Sequence, residues 1–367
     1  LFCIMWQSNV HFSSTRVEDF LAMQKAHPLY DEYWQSKNAD LSKITVPAFV
    51  VASWCDHGLH CRGTIEGFKQ ISSEHKWLLV HGRKKWWHFY QPENVEKQRQ
   101  FFNRFLKGIE VDNHVEEWPR VMIEVRERFY VGQMRSEREW PLARTQYTPY
   151  YLDAASGSLS TTPVAAESQV RYNADRHYDL GANGGNWSPY FREAVAQVSA
   201  KLAKEKPAEP RCATFEMQFP EETELTGHMK LRLWVEADGS DDLDLFVALD
   251  KIDISGFRVP LAYFGNHDDG PIALGWLRVS HRELDEQRST AYQPYHTHAR
   301  ELKLAPGEVV PVDIEIWPTG ILFHKGEKLR LTVQGEDIYW YPSEGHTCGH
   351  TDTVNKGAHI IRTGGRY

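Results

Sequence analysis

The chain has few cysteines, and no apolar run in it is long. Five cysteines are scattered among 367 residues, an odd number that is too small for a disulfide framework and favours a reducing compartment such as the cytoplasm. The longest apolar runs, such as VPAFVVAS (46–53), are less than half of the ~20 residues that a membrane-spanning helix needs. We therefore expect a globular, cytoplasmic protein without a membrane partner.

Long blocks of one charge sign are also missing. The 42 lysines and arginines and the 50 aspartates and glutamates are spread along the whole sequence. Binding to phosphates usually requires a basic stripe, so we expect no nucleic-acid partner. The start, LFCIMWQSNVHF, has no initiator methionine and no signal-peptide pattern, and the sequence stops soon after the strand-like GAHIIRT. These two ends predict a fragment of a longer protein.

Residues 1–108 alternate between helical and strand-like patterns. A helical pattern with a proline break covers 17–34, and two further helical patterns cover 62–72 and 92–108. Continuous apolar runs at 46–53 and in KWLLVHG (76–82) indicate strands that are buried on both faces. This order predicts a parallel sheet covered by helices, as in the C-terminal part of an α/β domain.

Residues 109–367 have a different texture. Short alternating segments such as VMIEVRERF, HMKLRLWVEA and KLRLTVQG are separated by turn signals such as ADGSDD and APGE. This pattern is typical of an antiparallel β-sandwich, and we predict a jelly roll. A polar connection between Ala155 and Pro210 holds one predicted helix, REAVAQVSAKLAKE.

Two polar residues follow the two predicted parallel strands. Asp56 comes after the first strand, in WCD, and His81 ends the second, in LLVHG. The carboxyl ends of parallel strands meet at one edge of a sheet, where a buried carboxylate could accept the Nδ1–H of a catalytic histidine. An aspartate that caps a turn and a histidine within the core give the same pattern, and the residues alone favour that structural interpretation.

Longer stretches make the pattern more specific. The segment HPLYDEYWQSKNADLSKITVPAFVVASWCDHGLHCRGTIEGFKQI and the later KWLLVHGRKKWWHFYQPENVEKQRQFFNRFLKG resemble the CocE/NonD family of serine hydrolases, which includes cocaine esterases and X-Pro dipeptidyl-peptidases. GWLRVSHRELD and PGEVVPVDIEIWPTGILFHKGEKLRLTVQG resemble the C-terminal jelly roll of that family, a galactose-binding-like domain. The resemblance implies an α/β-hydrolase core with part of a helical cap in 1–108, and the jelly roll in 109–367.

The resemblance also implies a Ser-Asp-His triad that hydrolyses an ester or amide of a small molecule through an acyl-enzyme, without a cofactor. Asp56 takes the place of the acid. His81 is the preferred base, and His88 in HGRKKWWH is the second choice. Four aromatic residues near these positions are candidates for the wall of a substrate pocket, although packing is their commoner role: Trp54, Trp86, Trp87 and Tyr90.

The nucleophile of such a triad is missing from this sequence. A Gly-x-Ser-x-Gly elbow must follow a strand and begin a helix, and no segment here does so. GHTCG (345–349) matches the spacing with Thr347, but it lies among β-strand patterns and no helix follows it. We therefore expect the serine and the oxyanion hole upstream of Leu1, and no activity from this chain alone.

Two other functions compete with this hypothesis. Several histidines and cysteines could bind zinc, but neighbours such as His60 and Cys61 project in different directions, and we expect no metal. The candidates are Cys55, His57, His60, Cys61, His346, Cys348 and His350. Alternatively, aromatic residues in DIYWYP (337–342) could stack on sugars, which would make the chain a non-catalytic carbohydrate-binding or interaction module. A homo-oligomer is compatible with either function.

Overall fold

The computed structural model describes residues 18–175, 210–263, 268–338, 350 and 352–367. The elements of the first part are α1 (Phe20–Ala26), α2 (Glu32–Lys37), β1 (Ala48–Ser53), α3 (Cys61–Gln70), β2 (Lys76–His81), α4 (Lys85–Phe89) and α5 (Pro92–Lys107). Short 3-10 turns cover Leu41–Lys43, Val115–Glu117 and Val279–His281.

Twelve further strands follow in the described residues. They are β3 (Val121–Arg128), β4 (Val131–Glu137), β5 (Tyr151–Asp153), β6 (Ser158–Ser160), β7 (Ser168–Asn173), β8 (Cys212–Gln218), β9 (Thr223–Asp238), β10 (Asp244–Ile252), β11 (Ala273–Arg278), β12 (Val310–Phe323), β13 (Lys328–Gln334) and β14 (Ala358–Thr363).

The helix ends follow local chemistry. The side chain of Asp19 accepts a hydrogen bond from the backbone N–H of Ala22 at the start of α1, and Asp31 does the same for Tyr33 at the start of α2. Helix α5 begins at Pro92, and Gly108 after its end has a φ of 68°, a left-handed conformation that glycine adopts without strain. The predicted helices and strands of the first part are confirmed in the described residues, where the pattern at 17–34 forms the two short helices α1 and α2. Helix α4 was not predicted.

One eight-stranded sheet runs through both parts of the chain. Strands β1 and β2 pair in parallel from Ala48 opposite Lys76 to Ser53 opposite His81. Strand β3 extends this sheet in parallel on the other side of β2, although it lies beyond residue 108. The sheet continues through β12, β9 and β14 to β7, with β4 beside β3. The six strands of the second sheet run in the order β11, β10, β13, β8, β6 and β5.

The core of the second part lies between the two sheets. It joins residues of the first sheet, such as Val235 and Ile314, to residues of the second, such as Leu245 and Leu331. A separate apolar cluster packs α3 against β1, β2 and β3 and includes the fully buried Trp54. The structure is consistent with an α/β-hydrolase part followed by a β domain, joined through a shared sheet.

Three predicted segments lie partly or wholly outside the described residues. They are the helix REAVAQVSAKLAKE, the GHTCG segment with Thr347, and DIYWYP from residue 339 onward. Within the described part of the chain, no helix combines the length and the apolar character needed to cross a membrane.

Candidate active site

Asp56, His81 and His88 line a single cavity beside the carboxyl ends of β1 and β2. The cavity has a volume of about 470 Å³. Its wall also contains Lys85, and much of the remaining lining is apolar: Phe49, Val51, Leu79, Trp86, Phe89, Phe101 and Phe102. The end of β2, the loop after β1 and the short helix α4 thus bring both candidate bases and the candidate acid to one cavity, which is lined by apolar residues and suited to a small organic ligand.

The loops that carry Asp56 and His81 are tied to each other. Ser53 at the end of β1 donates its hydroxyl hydrogen to the carbonyl of Arg83 (2.7 Å) and accepts the N–H of Cys55 (3.1 Å). The carbonyl of Asp56 accepts the N–H of Cys61 (3.2 Å), which leads the chain directly into α3. These bonds fix the backbone on both sides of the candidate acid.

The carboxylate of Asp56 has one partner and one open position. Its Oδ2 atom accepts a hydrogen bond from the ammonium group of Lys85 at 3.2 Å. Its Oδ1 atom is buried and has no hydrogen-bond partner among the described residues. Neither His81 nor His88 bonds to this carboxylate in the described part of the structure. The acid can therefore accept one further N–H without breaking its ion pair.

His81 is held by the backbone of its own loop. The N–H of Arg83 donates to Nδ1 of His81 at 3.1 Å, so the proton of the neutral ring resides on Nε2. Burial, with the neighbouring His88, lowers the pKa of His81 well below its usual value. His81 is consequently neutral at pH 7, and its Nδ1 atom already serves as an acceptor.

His88 stacks on His81, with ring centroids 3.6 Å apart and an interplanar angle of 12°. Its backbone carbonyl accepts a hydrogen bond from the Asn94 side chain at 2.8 Å, which ties α4 to α5. Burial, together with the nearby Lys97, lowers the pKa of His88 to about 4. No described residue hydrogen-bonds to the His88 ring, so both of its nitrogen atoms are available.

The four aromatic candidates occupy three different environments. Trp54 is fully buried, and its indole N–H donates to the carbonyl of Glu124 at 2.8 Å, so it belongs to the core and not to the cavity wall. Trp86 lines the cavity. Trp87 and Tyr90 are exposed, lie outside the lining, and contact the rings of Tyr130 and Phe89 respectively.

Sequence reasoning missed several residues that shape this site. Phe101 and Phe102 come from α5, whose amphipathic pattern indicates ordinary packing and gives no sign of a cavity. Lys85 is one of three consecutive basic residues, Arg83 to Lys85, and only the fold shows which of them reaches Asp56. Glu124 had a usable signal, because it is an acidic residue within the otherwise apolar VMIEV.

The buried cysteines near the site are not thiolates. Burial raises the pKa of Cys55 to about 11, and it also raises the pKa of Cys61. Both are free thiols. Among the residues that the structure describes, no group of three or more histidine, cysteine or acidic side chains has an arrangement that could hold a metal ion.

Comparison with known proteins gives two family matches. The model of the X-Pro dipeptidyl-peptidase C-terminal non-catalytic domain matches residues 113–367, and that of the X-Pro dipeptidyl-peptidase S15 family matches residues 6–90. The cocaine esterase of Rhodococcus sp. (strain MB1 Bresler) is 24% identical over 354 residues, which cover 88% of this chain and 54% of that protein.

Solved structures give the same picture. A CocE/NonD family hydrolase from Staphylococcus aureus superposes with a TM-score of 0.87 at 38% identity, covering 100% of this chain and 61% of that one. An aminopeptidase from a marine sediment archaeon, at 16% identity and a TM-score of 0.62, shares the fold over 94% of this chain and 58% of its own. The chain thus spans between 54% and 61% of the length of these relatives.

Proposed function

Because this chain belongs to the X-Pro dipeptidyl-peptidase family of hydrolases, we propose that it supplies the acid and the base of a serine hydrolase. The reaction is hydrolysis of a small ester or amide through a Ser-Asp-His triad, whose serine and oxyanion hole lie upstream of Leu1. The single observation that carries the proposal is the cavity shared by Asp56, His81 and His88. The triad operates without a cofactor.

The base of the proposed triad is His88. A catalytic histidine donates Nδ1–H to the acid and receives the serine proton on Nε2. His81 was the first choice from sequence, but its Nδ1 atom accepts the N–H of Arg83 and therefore cannot also donate to Asp56 in the same tautomer. His88 has both nitrogen atoms available, and the Oδ1 atom of Asp56 is an open acceptor.

The reaction then proceeds in two acyl-transfer steps. His88 removes the proton of the serine hydroxyl while the oxygen attacks the substrate carbonyl, and Asp56 stabilises the imidazolium that forms. His88 next donates this proton to the leaving group, which leaves an acyl-enzyme. Water then attacks the acyl-enzyme with His88 again acting as the base, and the carboxylic acid product and the free serine are released. His81, stacked on the face of His88, holds the ring in its plane.

The cavity supports a proposal for the substrate class. A volume of about 470 Å³ with phenylalanine and tryptophan side chains in its wall suits a small ester or amide with an apolar acyl group. The name of the Rhodococcus relative also favours an ester. The β domain is proposed to be a jelly roll, supported by two facing sheets whose neighbouring strands are mostly antiparallel.

The test uses the full-length protein that contains this sequence. A fluorophosphonate probe should label one serine upstream of these residues, and the protein should hydrolyse aryl esters. His88→Gln and Asp56→Asn should each lower kcat by about 10³- to 10⁴-fold, as loss of a triad member does elsewhere. His81→Gln should have a smaller effect, since it removes a stacking partner and not the base.

Three results would count against this proposal in different ways. An unlabelled full-length protein without esterase activity would overturn the hydrolase function. Full activity in Asp56→Asn would remove the acid from the triad. A loss in His81→Gln as large as expected for His88→Gln, with His88→Gln active, would return the base to the residue that the sequence favoured.

A further inference from the structure

Glu124 lies outside the part of the chain that holds the acid and both candidate bases. It sits on β3, within the residues matched by the model of the C-terminal non-catalytic domain. Its side chain is buried, only 5% exposed, and burying a carboxylate is costly unless several partners satisfy it. The identity of those partners indicates what the residue does.

The carboxylate of Glu124 holds the loop that follows β2. Its Oε2 atom accepts the N–H of Gly82 at 2.7 Å, and its Oε1 atom pairs with the guanidinium of Arg83 at 2.9 Å. Gly82 and Arg83 directly follow His81, and the Arg83 N–H is the donor to Nδ1 of His81. The acidic group therefore fixes the peptide that orients the His81 ring, on which His88 stacks.

The backbone of the same residue holds the other loop. The carbonyl of Glu124 accepts the indole N–H of Trp54 at 2.8 Å, two residues before Asp56. Glu124 thus contacts the loop of the acid through its main chain and the loop of the bases through its side chain. Through these two contacts, a single residue fixes the position of one loop relative to the other.

The surroundings of Glu124 are shaped to keep it in place. A Cβ atom at Gly132 on β4 would lie 2.9 Å from Oε1 of Glu124 and 2.7 Å from the carbonyl oxygen of Val125, so only glycine fits there. The Arg83 guanidinium also lies over the ring of Tyr130, 4.9 Å from its centroid, and donates to the Tyr130 carbonyl. Both contacts come from the turn and strand that follow β3.

We propose that Glu124, with Arg83, is a positioning residue for catalysis, so that the C-terminal domain takes part in building the active site. The inference rests on the hydrolase function proposed above and extends it. Glu124 touches neither the cavity nor the proposed substrate, and it acts through the loop that it holds. The charged groups that face the two imidazoles are Arg83 from this loop and Lys97 and Glu93 from α5.

The first test compares two buried carboxylates by kinetics in the full-length protein. Glu124→Gln keeps the size of the side chain, but it removes the negative charge that pairs with Arg83 and replaces one carboxylate oxygen with an amide nitrogen. Asp313→Asn is the matched control, because Asp313 is 4% exposed, pairs with Arg232 and Lys230, and does not line the cavity. We expect Glu124→Gln to lower kcat between tenfold and about a hundredfold with KM changed less than about twofold. Asp313→Asn should leave both constants near their wild-type values.

The second test needs no activity and uses the same full-length protein. Long-range proton–nitrogen NMR spectra at pH 7 report whether Nδ1 of His81 accepts a hydrogen bond and which tautomer each ring adopts. Glu124→Gln should shift the Nδ1 resonance of His81, and Asp313→Asn should not, even if both variants lose the same thermal stability. If Glu124→Gln lowered the thermal stability but left the His81 resonance unchanged, Glu124 would have only a structural role.

A double variant tests whether Glu124 and Arg83 act as a pair. Arg83→Met combined with Glu124→Gln leaves no unpaired charge, so the double variant should lose less activity than the product of the two single losses. Wild-type kcat in Glu124→Gln, or an unchanged His81 resonance, would overturn the proposal. An inactive and unlabelled wild-type protein would instead overturn the hydrolase function, and the NMR comparison would still decide whether Glu124 holds the loop.

Discussion

The rings of His81 and His88 stack face to face, 3.6 Å between their centroids, inside the cavity that also contains Asp56. Two protonated imidazoles at this distance would repel each other, so at least one ring must stay neutral. The proximity of His88 is indeed among the causes that lower the pKa of His81. The stack therefore belongs to the neutral state of the site, and it gives the base a rigid support.

Buried histidines should make the fold sensitive to acid, and His57 is the clearest case. It is fully buried against Trp317, both of its ring nitrogens lack a described partner, and burial lowers its pKa to about 3. The unfolded chain binds a proton at His57 below pH about 6.5, whereas the folded chain does so only near pH 3. Stability is therefore lost as pH falls from about 6.5 toward 3.

We expect His57→Phe to remove this contribution, which is about 2 kcal/mol at pH 5 relative to pH 8. Urea unfolding at the two pH values measures it. His114→Phe, at an exposed histidine, is the control and should keep the wild-type pH dependence. An equal loss of stability on acidification in wild-type and His57→Phe would show that His57 is not the source.

The ion pair between Lys85 and Asp56 should stabilise the acid loop. Lys85→Met leaves the Asp56 carboxylate buried with neither oxygen paired to a described residue, and should lower the free energy of unfolding by about 1–2 kcal/mol. Lys85→Arg should retain most of the stability. Adding Asp56→Asn to Lys85→Met should restore part of the loss, because the unpaired charge is then gone; thermal denaturation of the three variants at pH 7.5 tests this. No restoration would mean that Lys85 stabilises the loop through other contacts.

Two adjacent tryptophans should respond differently to substrate. Trp86 lines the cavity and Trp87 does not, although both are exposed. In the full-length protein we expect Trp86→Ala to raise KM for an aryl ester by about threefold to tenfold, since an aromatic contact is lost. Trp87→Ala should stay within about twofold. Equal effects of the two substitutions would place the substrate elsewhere.

Glu66 on α3 should be a strong link between the helix that follows the acid loop and the β domain. Burial raises its pKa, but hydrogen bonds from Gln293 and Tyr295 and an ion pair with Lys69 outweigh this and give a pKa of about 2. Its stabilising effect is thus present above pH about 4.5 and is lost as pH falls toward 2.

At pH 7 we expect Glu66→Gln to cost about 3 kcal/mol in chemical unfolding. Glu96 on α5 provides a control, because its pKa is also about 2 but its side chain is 44% exposed and pairs with Arg99 within the helix. Glu96→Gln should change stability little, since solvent screens surface pairs. Similar losses in the two variants would mean that burial does not decide the strength of these interactions.

Local features of the sequence predicted much of the first part. Pro92 and Gly108 mark the ends of α5 because the proline ring fixes a helical φ and glycine adopts a left-handed φ without strain. Both effects act on a single residue and its neighbours. Asp56 and His81 could be placed at one sheet edge because continuous apolar strands separated by one helix must run in parallel. These conclusions depend on residue types and apolar patterns within short segments, which the sequence contains directly.

The sequence by itself determined the order of the elements and the edge of the sheet at which Asp56, His81 and His88 meet. Only the tertiary structure decided that Arg83 occupies Nδ1 of His81, that Trp54 packs in the core, and that β3 brings Glu124 under both loops. The physical reason is that a buried polar atom bonds to whichever donor or acceptor the packed chain brings within about 3 Å, and distant segments supply that partner.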